Sequence, residues 1–192
     1  LVAGLSGVIW LITTPAGVRW LMETVSSHTE VKIGAQNIKG KLAGALSLER
    51  LDIGWPTGKV RVRKLSWQID PRDLFAGCIT VHHLSLQDVD IFDNAPDTPP
   101  ELVWPRASRL IRLASGRIGR MEISRLSYQR PDEEPLRIDR AAGRVIWQDA
   151  QLALGDWSLL AGPLALDGSV VAGFGRPALD VTLRAVLSSA SV

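Results

Sequence analysis

Four eight-residue windows in this chain share one form: two apolar residues at alternate positions, a polar pair, then two more apolar residues at alternate positions. They are Leu46 to Ile53 (LSLERLDI), Val60 to Trp67 (VRVRKLSW), Ile79 to Leu86 (ITVHHLSL) and Met121 to Tyr128 (MEISRLSY). Alternation is the signature of a strand with one apolar and one wet face. The extra polar residue shifts the period by one, and a β-bulge absorbs such a shift while keeping the apolar face continuous. A looser fifth copy runs Leu152 to Leu159 (LALGDWSL), with Ala153 spoiling the alternation.

Glycine and proline punctuate the windows at Gly40, Gly44, Gly54, Pro56, Gly58, Pro71 and Gly77. Shorter alternating runs follow at Leu136–Ile138, Val145–Trp147, Leu164–Leu166 and Leu179–Val181–Leu183. About ten short strands with turns between them and no long helix read as an antiparallel meander. Pro96 to Pro105 (PDTPPELVWP) carries four prolines. It is expected to connect two β units or bend one long sheet.

Composition narrows the class. Hydrophobic residues make 46% and charged residues 22% of the 192, an ordinary globular balance. Lys and Arg number 22 against 20 Asp and Glu, a formal charge of +2, which argues against a nucleic-acid partner with its concentrated basic face. Cys78 is the one cysteine, so an internal disulfide and a cysteine-rich zinc site are both ruled out.

The first eighteen residues, LVAGLSGVIWLITTPAGV, hold no charge, and Arg19 is the first. A spanning helix needs about 20 apolar residues, so this stretch reads as the far half of one whose start lies before Leu1. Trp10 and Trp20 suit the headgroup level. Thr14-Pro15 makes a good N-cap and first-turn pair. A short amphipathic helix to about Ser26 then carries Val18, Leu21, Met22 and Val25 on one stripe, with Arg19 and Glu23 four apart beside it. A cleaved signal peptide and a buried soluble helix stay open as alternatives.

Residues that an enzyme would need are scattered. His82 and His83 are adjacent, so on a strand they face opposite sides and cannot share one metal. His28 stands alone, and Cys78 reads as a packing residue. Asp132, Glu133 and Glu134 between Pro131 and Pro135 read as a solvated turn. Gly173-Phe174-Gly175 lacks the strand-turn-helix setting of a phosphate cradle. The expectation is a protein that is not an enzyme and has no cofactor and no metal.

The order of these elements resembles the TamB family, the inner-membrane subunits of the translocation and assembly module, within the wider AsmA-like group. There a membrane helix is followed by "T-x-x-G-x-R-W-L", here Thr14 to Leu21 (TPAGVRWL). Next comes "G-x-L-x-G-x-L-x-L-x-x-L", here Gly40 to Leu51. A strand ending in Trp67 then leads to "D-P-x-x-L-x-x-G", here Asp70 to Gly77, and to "I-x-V-x-x-L-x-L" from Ile79. Leu166-Asp167-Gly168-Ser169 and Gly175-Arg176-Pro177 also fit, though the match is best over residues 10–95.

The resemblance implies a mainly β fold in the periplasm. An N-terminal membrane helix and a short amphipathic helix (1–26) would precede an elongated antiparallel sheet curled into an open apolar groove, β-taco-like. Its units would be 27–95 and 118–192, joined by a Pro-rich connection over 96–117 and continuing beyond Val192. It further implies a single-pass inner-membrane protein of Gram-negative cells that bridges phospholipid acyl chains toward the outer membrane. An outer-membrane barrel partner would be met through a C-terminal region absent here. The groove would be lined by Leu46, Leu48, Leu51, Ile53, Val60, Val62, Leu65, Trp67, Ile79, Val81, Leu84, Leu86, Met121, Ile123, Leu126 and Tyr128. Trp10, Trp20 and Met22 would sit at the membrane interface. The rival expectations are an assembly and secretion subunit for outer-membrane proteins, working through an exposed sheet edge, and a passive periplasmic scaffold.

Overall fold

The computed structural model describes residues 14–28, 30–95, 115–173 and 178–187. Thr14 opens the first helix as expected: its Oγ1 accepts the Gly17 amide at 3.0 Å, and Pro15 takes the first turn, where no N–H is needed. Helix α1 (Pro15–His28) ends two residues past the expected Ser26. The Ile33 amide then donates to Ser26 Oγ at 2.9 Å, tying the helix to the first strand. Among the described residues no helix is long and apolar enough to cross a membrane. The expected spanning segment lies on residues 1–13, outside them, as does Trp10.

Nine strands follow: β1 (Lys32–Gly40), β2 (Ala45–Trp55), β3 (Gly58–Ile69), β4 (Cys78–Asp93), β5 (Ser115–Gln129), β6 (Leu136–Gln148), β7 (Gln151–Ala161), β8 (Leu164–Gly173) and β9 (Ala178–Leu187). All belong to one sheet in sequence order, with β1 and β9 at opposite edges, so the sheet is not closed. Helix α2 (Pro71–Phe75) sits between β3 and β4. Asp70 Oδ1 caps it by accepting the Arg72 amide at 2.9 Å, Pro71 fills its first turn, and Gly77 turns the chain out at φ +74. The Asp-Pro…Gly spacing of the sequence is therefore a helix start and stop. Between β6 and β7, Asp149 and Ala150 both take positive φ (51 and 57), the two-residue hairpin geometry that matches sheet twist.

The antiparallel expectation needs correction at one place. Every neighbouring pair is antiparallel except β4 and β5, which run parallel from Cys78↔Ser115 to Phe92↔Gln129. A hairpin cannot join parallel neighbours; a crossover of a dozen or more residues can, and residues 94–114 are long enough. Alternation reports which face a side chain takes and carries no information on strand direction. The expected Pro-rich connection falls mostly on residues outside the described set, but Ser115, Gly116 and Arg117, assigned to it, open β5. The two runs of strands form one sheet across this junction.

In the windows opening at Leu46, Val60 and Met121 the extra polar residue is accommodated without breaking register, whereas in Ile79–Leu86 the expected bulge forms: His82 is skipped in the β3 ladder, between Gln68↔His83 and Ile69↔Val81. Arg50, Asp88 and Arg125 take positive φ (52, 52 and 54). The pairings on either side of them continue one for one: Glu49↔Lys64 and Leu51↔Val62, then Lys64↔Gln87 and Val62↔Val89, then Gln87↔Ser124 and Val89↔Leu126. Arg63 and Asp139 hold the same level in β3 and β6. Each strand thus inserts its residue where its neighbours do, and all reset their alternation together. Further irregularities occur at β1 against β2 and within Ile118/Met121, Ala142/Arg144 and Leu154/Trp157.

Packing is densest at the N-terminal side. Ile38, Leu46, Leu48, Val62, Leu65 and Val89 are the buried hydrophobic core, with Leu48 down to 1% exposed. Leu51, Val60, Trp67, Leu84, Leu86, Ile123 and Leu126 pack around it. Burial then thins along the sheet until every residue of β9 is exposed.

Candidate functional site

Residues directly opposite each other in neighbouring strands share a face, and the register gathers the expected groove residues on one. Leu46, Trp67, Leu84 and Met121 form one transverse row. Leu48, Leu65, Leu86 and Ile123 form the next; Leu51, Val62, Val89 and Leu126 a third; Ile53, Val60, Ile91 and Tyr128 a fourth. Val81 lies between Ile69 and Ile118, and Ile79 lies beside Gly116.

Two rows extend much further than the windows. One runs from Leu48 through Leu65, Leu86, Ile123, Ala141, Leu159 and Leu166 to Ala185, crossing β2 to β9. The other runs from Ile69 through Val81, Ile118, Val145, Leu154 and Val170 to Val181, crossing β3 to β9. Every member is apolar. Eight strand spacings of about 4.8 Å make the whole face about 40 Å across.

Three tryptophans patch glycine gaps in the sheet. Trp55 stands opposite Gly58, Trp147 opposite Gly116 and Trp157 opposite Gly168. Each ring lies over its glycine so closely that a β-carbon at Gly116 would sit 2.2 Å from Trp147 Cζ2. Aromatic cover of this kind restores the apolar surface a glycine omits. The Trp157 β-carbon also stands 3.1 Å from where a β-carbon at Gly143 would lie, and the buried ring Nε1 has no hydrogen-bond partner among the described residues. At the other end, Trp67 Nε1 donates to the Leu42 carbonyl at 3.1 Å, holding the 41–44 turn against the core.

No second sheet or helical layer covers this face among the described residues; α1 contacts β1, and α2 contacts β4. Large apolar side chains consequently stay wet: Leu136 is 56% exposed, Leu152 36% and Leu179, Val181 and Leu183 52–59%. A plain soluble domain rarely leaves so contiguous an apolar strip open.

The opposite face is charged over β2 to β6. Asp88 receives a two-pronged hydrogen bond from Arg125 and pairs with Arg63 at 3.4 Å. Asp52 pairs with Arg61 at 3.3 Å, and Lys59 lies 4.5 Å above the Phe92 ring. The Arg125 hydrogen bond holds the Asp88 carboxyl below its ordinary range, with the charges of Arg125 and Arg63 adding to it. The Arg120 hydrogen bond does the same for Glu122, helped by Arg140. Groups with depressed folded-state pKa values stabilise the fold above the unfolded carboxylate pKa, about pH 4, and that contribution is lost as pH falls through the folded value. Arg125→Gln is therefore expected to raise the Asp88 pKa toward its ordinary value and start acid unfolding at a higher pH. Carboxylate NMR titration and melts below pH 5 check it; an unchanged Asp88 titration would remove the pairing from solution.

The remaining titratable residues do not converge. His82 Nε2 is 3.7 Å from Asp70, and Cys78 is half-buried with a free thiol. Among the described residues no three His, Cys, Asp or Glu side chains are placed to hold a metal. Trp20 is half exposed on α1, whereas the Met22 side chain lies outside what the structure describes.

Sequence reasoning passed over Val89 and Ile91. Their signal was present: Leu84 to Ile91 (LSLQDVDI) is a further full copy of the window, hidden because it shares Leu84 and Leu86 with the copy before it. Leu136 to Gly143 (LRIDRAAG) is another, masked by small residues in its second half. Compared with protein-family models, curated proteins and solved structures, the chain finds no match in any of the three.

Proposed function

We propose that this chain is a membrane-anchored β-groove segment that carries phospholipid acyl chains, as the N-terminal part of a TamB-like protein projecting from the inner membrane into the periplasm. The observation supporting it is the all-apolar row from Leu48 to Ala185, which crosses eight strands with no described layer over it. An acyl chain laid across such rows recovers about 0.8 kcal/mol for each methylene it removes from water. The charged opposite face, with its Arg63–Asp88–Arg125 network, keeps the same sheet soluble on its outer side. In this reading the face is the inside of a curled trough, and the short helix α1, with exposed Trp20, sets the trough mouth at the leaflet.

Native mass spectrometry of the chain purified in mild detergent, with lipid extraction, tests the proposal. Phospholipid is expected to co-purify, and Leu152→Asp to lower the bound fraction about tenfold or more while the β-sheet circular dichroism stays unchanged. Leu152 is the cleaner probe than Leu84, because Leu84 packs on the core and its loss would confuse folding with binding. A lipid-free wild-type chain that unfolds cooperatively would sink the proposal.

A further inference from the structure

Among the described residues two buried side-chain polar atoms have no hydrogen-bond partner, Thr80 Oγ1 and Trp157 Nε1. Thr80 stands on the charged outer face, across from Arg117. Trp157 stands on the apolar face, with the pair Leu154 and Val170 on one side and the pair Leu159 and Leu166 on the other. A buried donor left unpaired is costly and calls for an explanation. An ordered water needs about two to four polar partners, and these rows offer it no polar side chain. Elsewhere the fold does satisfy an indole, since Trp67 donates to the Leu42 carbonyl.

The local backbone is shaped around this ring. Strand β7 carries an extra residue against both its neighbours, between Leu154 and Trp157. There Asp156 takes positive φ (45) and pairs with Arg144 on the outer face. Bulges of this kind re-aim a side chain, and here Trp157 comes to lie between two residues without side chains, Gly143 and Gly168. A β-carbon at Gly168 would be 3.2 Å from Cζ2, on the same ring edge as Nε1, so the N–H edge rests beside the glycine. The bare floor on either side gives the ring room to tilt.

We infer that Trp157 Nε1 is the hydrogen-bond donor to an acyl ester carbonyl of the lipid on this face, reached when the ring tilts off Gly168. This contact rests on the lipid-carrying reading above and gives it chemical selectivity. In a mostly apolar site a single placed polar group fixes how the ligand lies. Neighbouring rows are about 6.8 Å apart along a strand, so an acyl chain lying along the Leu48–Ala185 row passes within reach of the ring. A hydrocarbon tail offers the N–H no acceptor, a diester lipid offers two carbonyls, and a diether lipid has none.

Native mass spectrometry of the full chain in mild detergent gives the test, with an equimolar mixture of a diester phosphatidylglycerol and its diether analogue of equal chain length. The wild type is expected to take up the diester over the diether by about fivefold or more, the worth of one ordinary hydrogen bond. Trp157→Phe keeps a ring beside Gly168 without the N–H, and it is expected to hold both lipids equally. Nitrogen–proton NMR of the wild type gives a readout that does not depend on the variant folding: the Trp157 indole proton is expected to move downfield with the diester and to stay in place with the diether. Equal uptake of the two lipids by the wild type would overturn the contact and leave the lipid-carrying reading standing, whereas uptake of neither would overturn both. Selectivity that persists in Trp157→Phe, or an indole proton already hydrogen-bonded in the lipid-free chain, would also overturn the contact.

Discussion

Leu48→Asp is expected to abolish the cooperative unfolding transition, while Leu136→Asp, on the same face, leaves stability within about 1 kcal/mol of the wild type. Both are leucines on apolar rows, and the difference is cover. Leu48 is 1% exposed among Leu46, Val62, Leu65 and Val89, whereas Leu136 is 56% exposed at the end of β6's row. Removing a buried leucine side chain alone costs about 2–5 kcal/mol, and a carboxylate in its place adds the penalty of an unpaired buried charge. That sum reaches the whole stability of an ordinary domain, about 5–15 kcal/mol. Thermal and urea melts decide it. Equal damage from both variants would mean that the face is evenly covered in solution, and the division into a sealed β1–β4 region and an open remainder would fall.

The second large effect belongs to the parallel junction. Gly116→Ala is expected to destabilise the chain by about 2–3 kcal/mol, although replacing a strand glycine by alanine ordinarily gains a fraction of a kcal/mol. The new β-carbon would stand 2.2 Å from Trp147 Cζ2 and 2.5 Å from the Ile79 carbonyl oxygen. A ring can tilt away; a backbone carbonyl in the β4–β5 ladder cannot move without opening the pairing. Gly116→Ala combined with Trp147→Leu should therefore recover only part of the loss. Gly54→Ala is the control, since nothing lies within 4 Å of its β-carbon position, and it should be neutral or slightly stabilising. A neutral Gly116→Ala in urea unfolding would show that β4 and β5 are not held at this spacing.

Much of this arrangement was readable before any coordinates. The windows around Glu49-Arg50 and Ser124-Arg125 announced both the apolar face and the need for one irregular residue per strand, and Thr14 and Asp70 announced their helix starts. The form of the irregularity was not readable. A lone bulge and a shared row of inserted residues give the same local pattern, and only the register of neighbouring strands separates them. The direction of β5 was equally hidden, because Met121 and Ile123 face the same way whichever end of the strand comes first. The Trp147–Gly116 pair was out of reach for another reason: the two are far apart in sequence, and composition showed only that tryptophan was abundant.

The shared level of Arg50, Arg63, Asp88, Arg125 and Asp139 also constrains how such a chain can change length. Deleting Arg50 alone would leave LSLELDI, a perfectly alternating strand by itself, yet one residue short against β3. The mismatch would force a new bulge into the ladder beside Leu48, where packing is tightest. Loss or gain of a residue along this line is therefore tolerated only when several strands change in concert. Related chains should accordingly keep or drop the inserted residue as a block across β2 to β6, while the hairpin tips on either side vary freely in length.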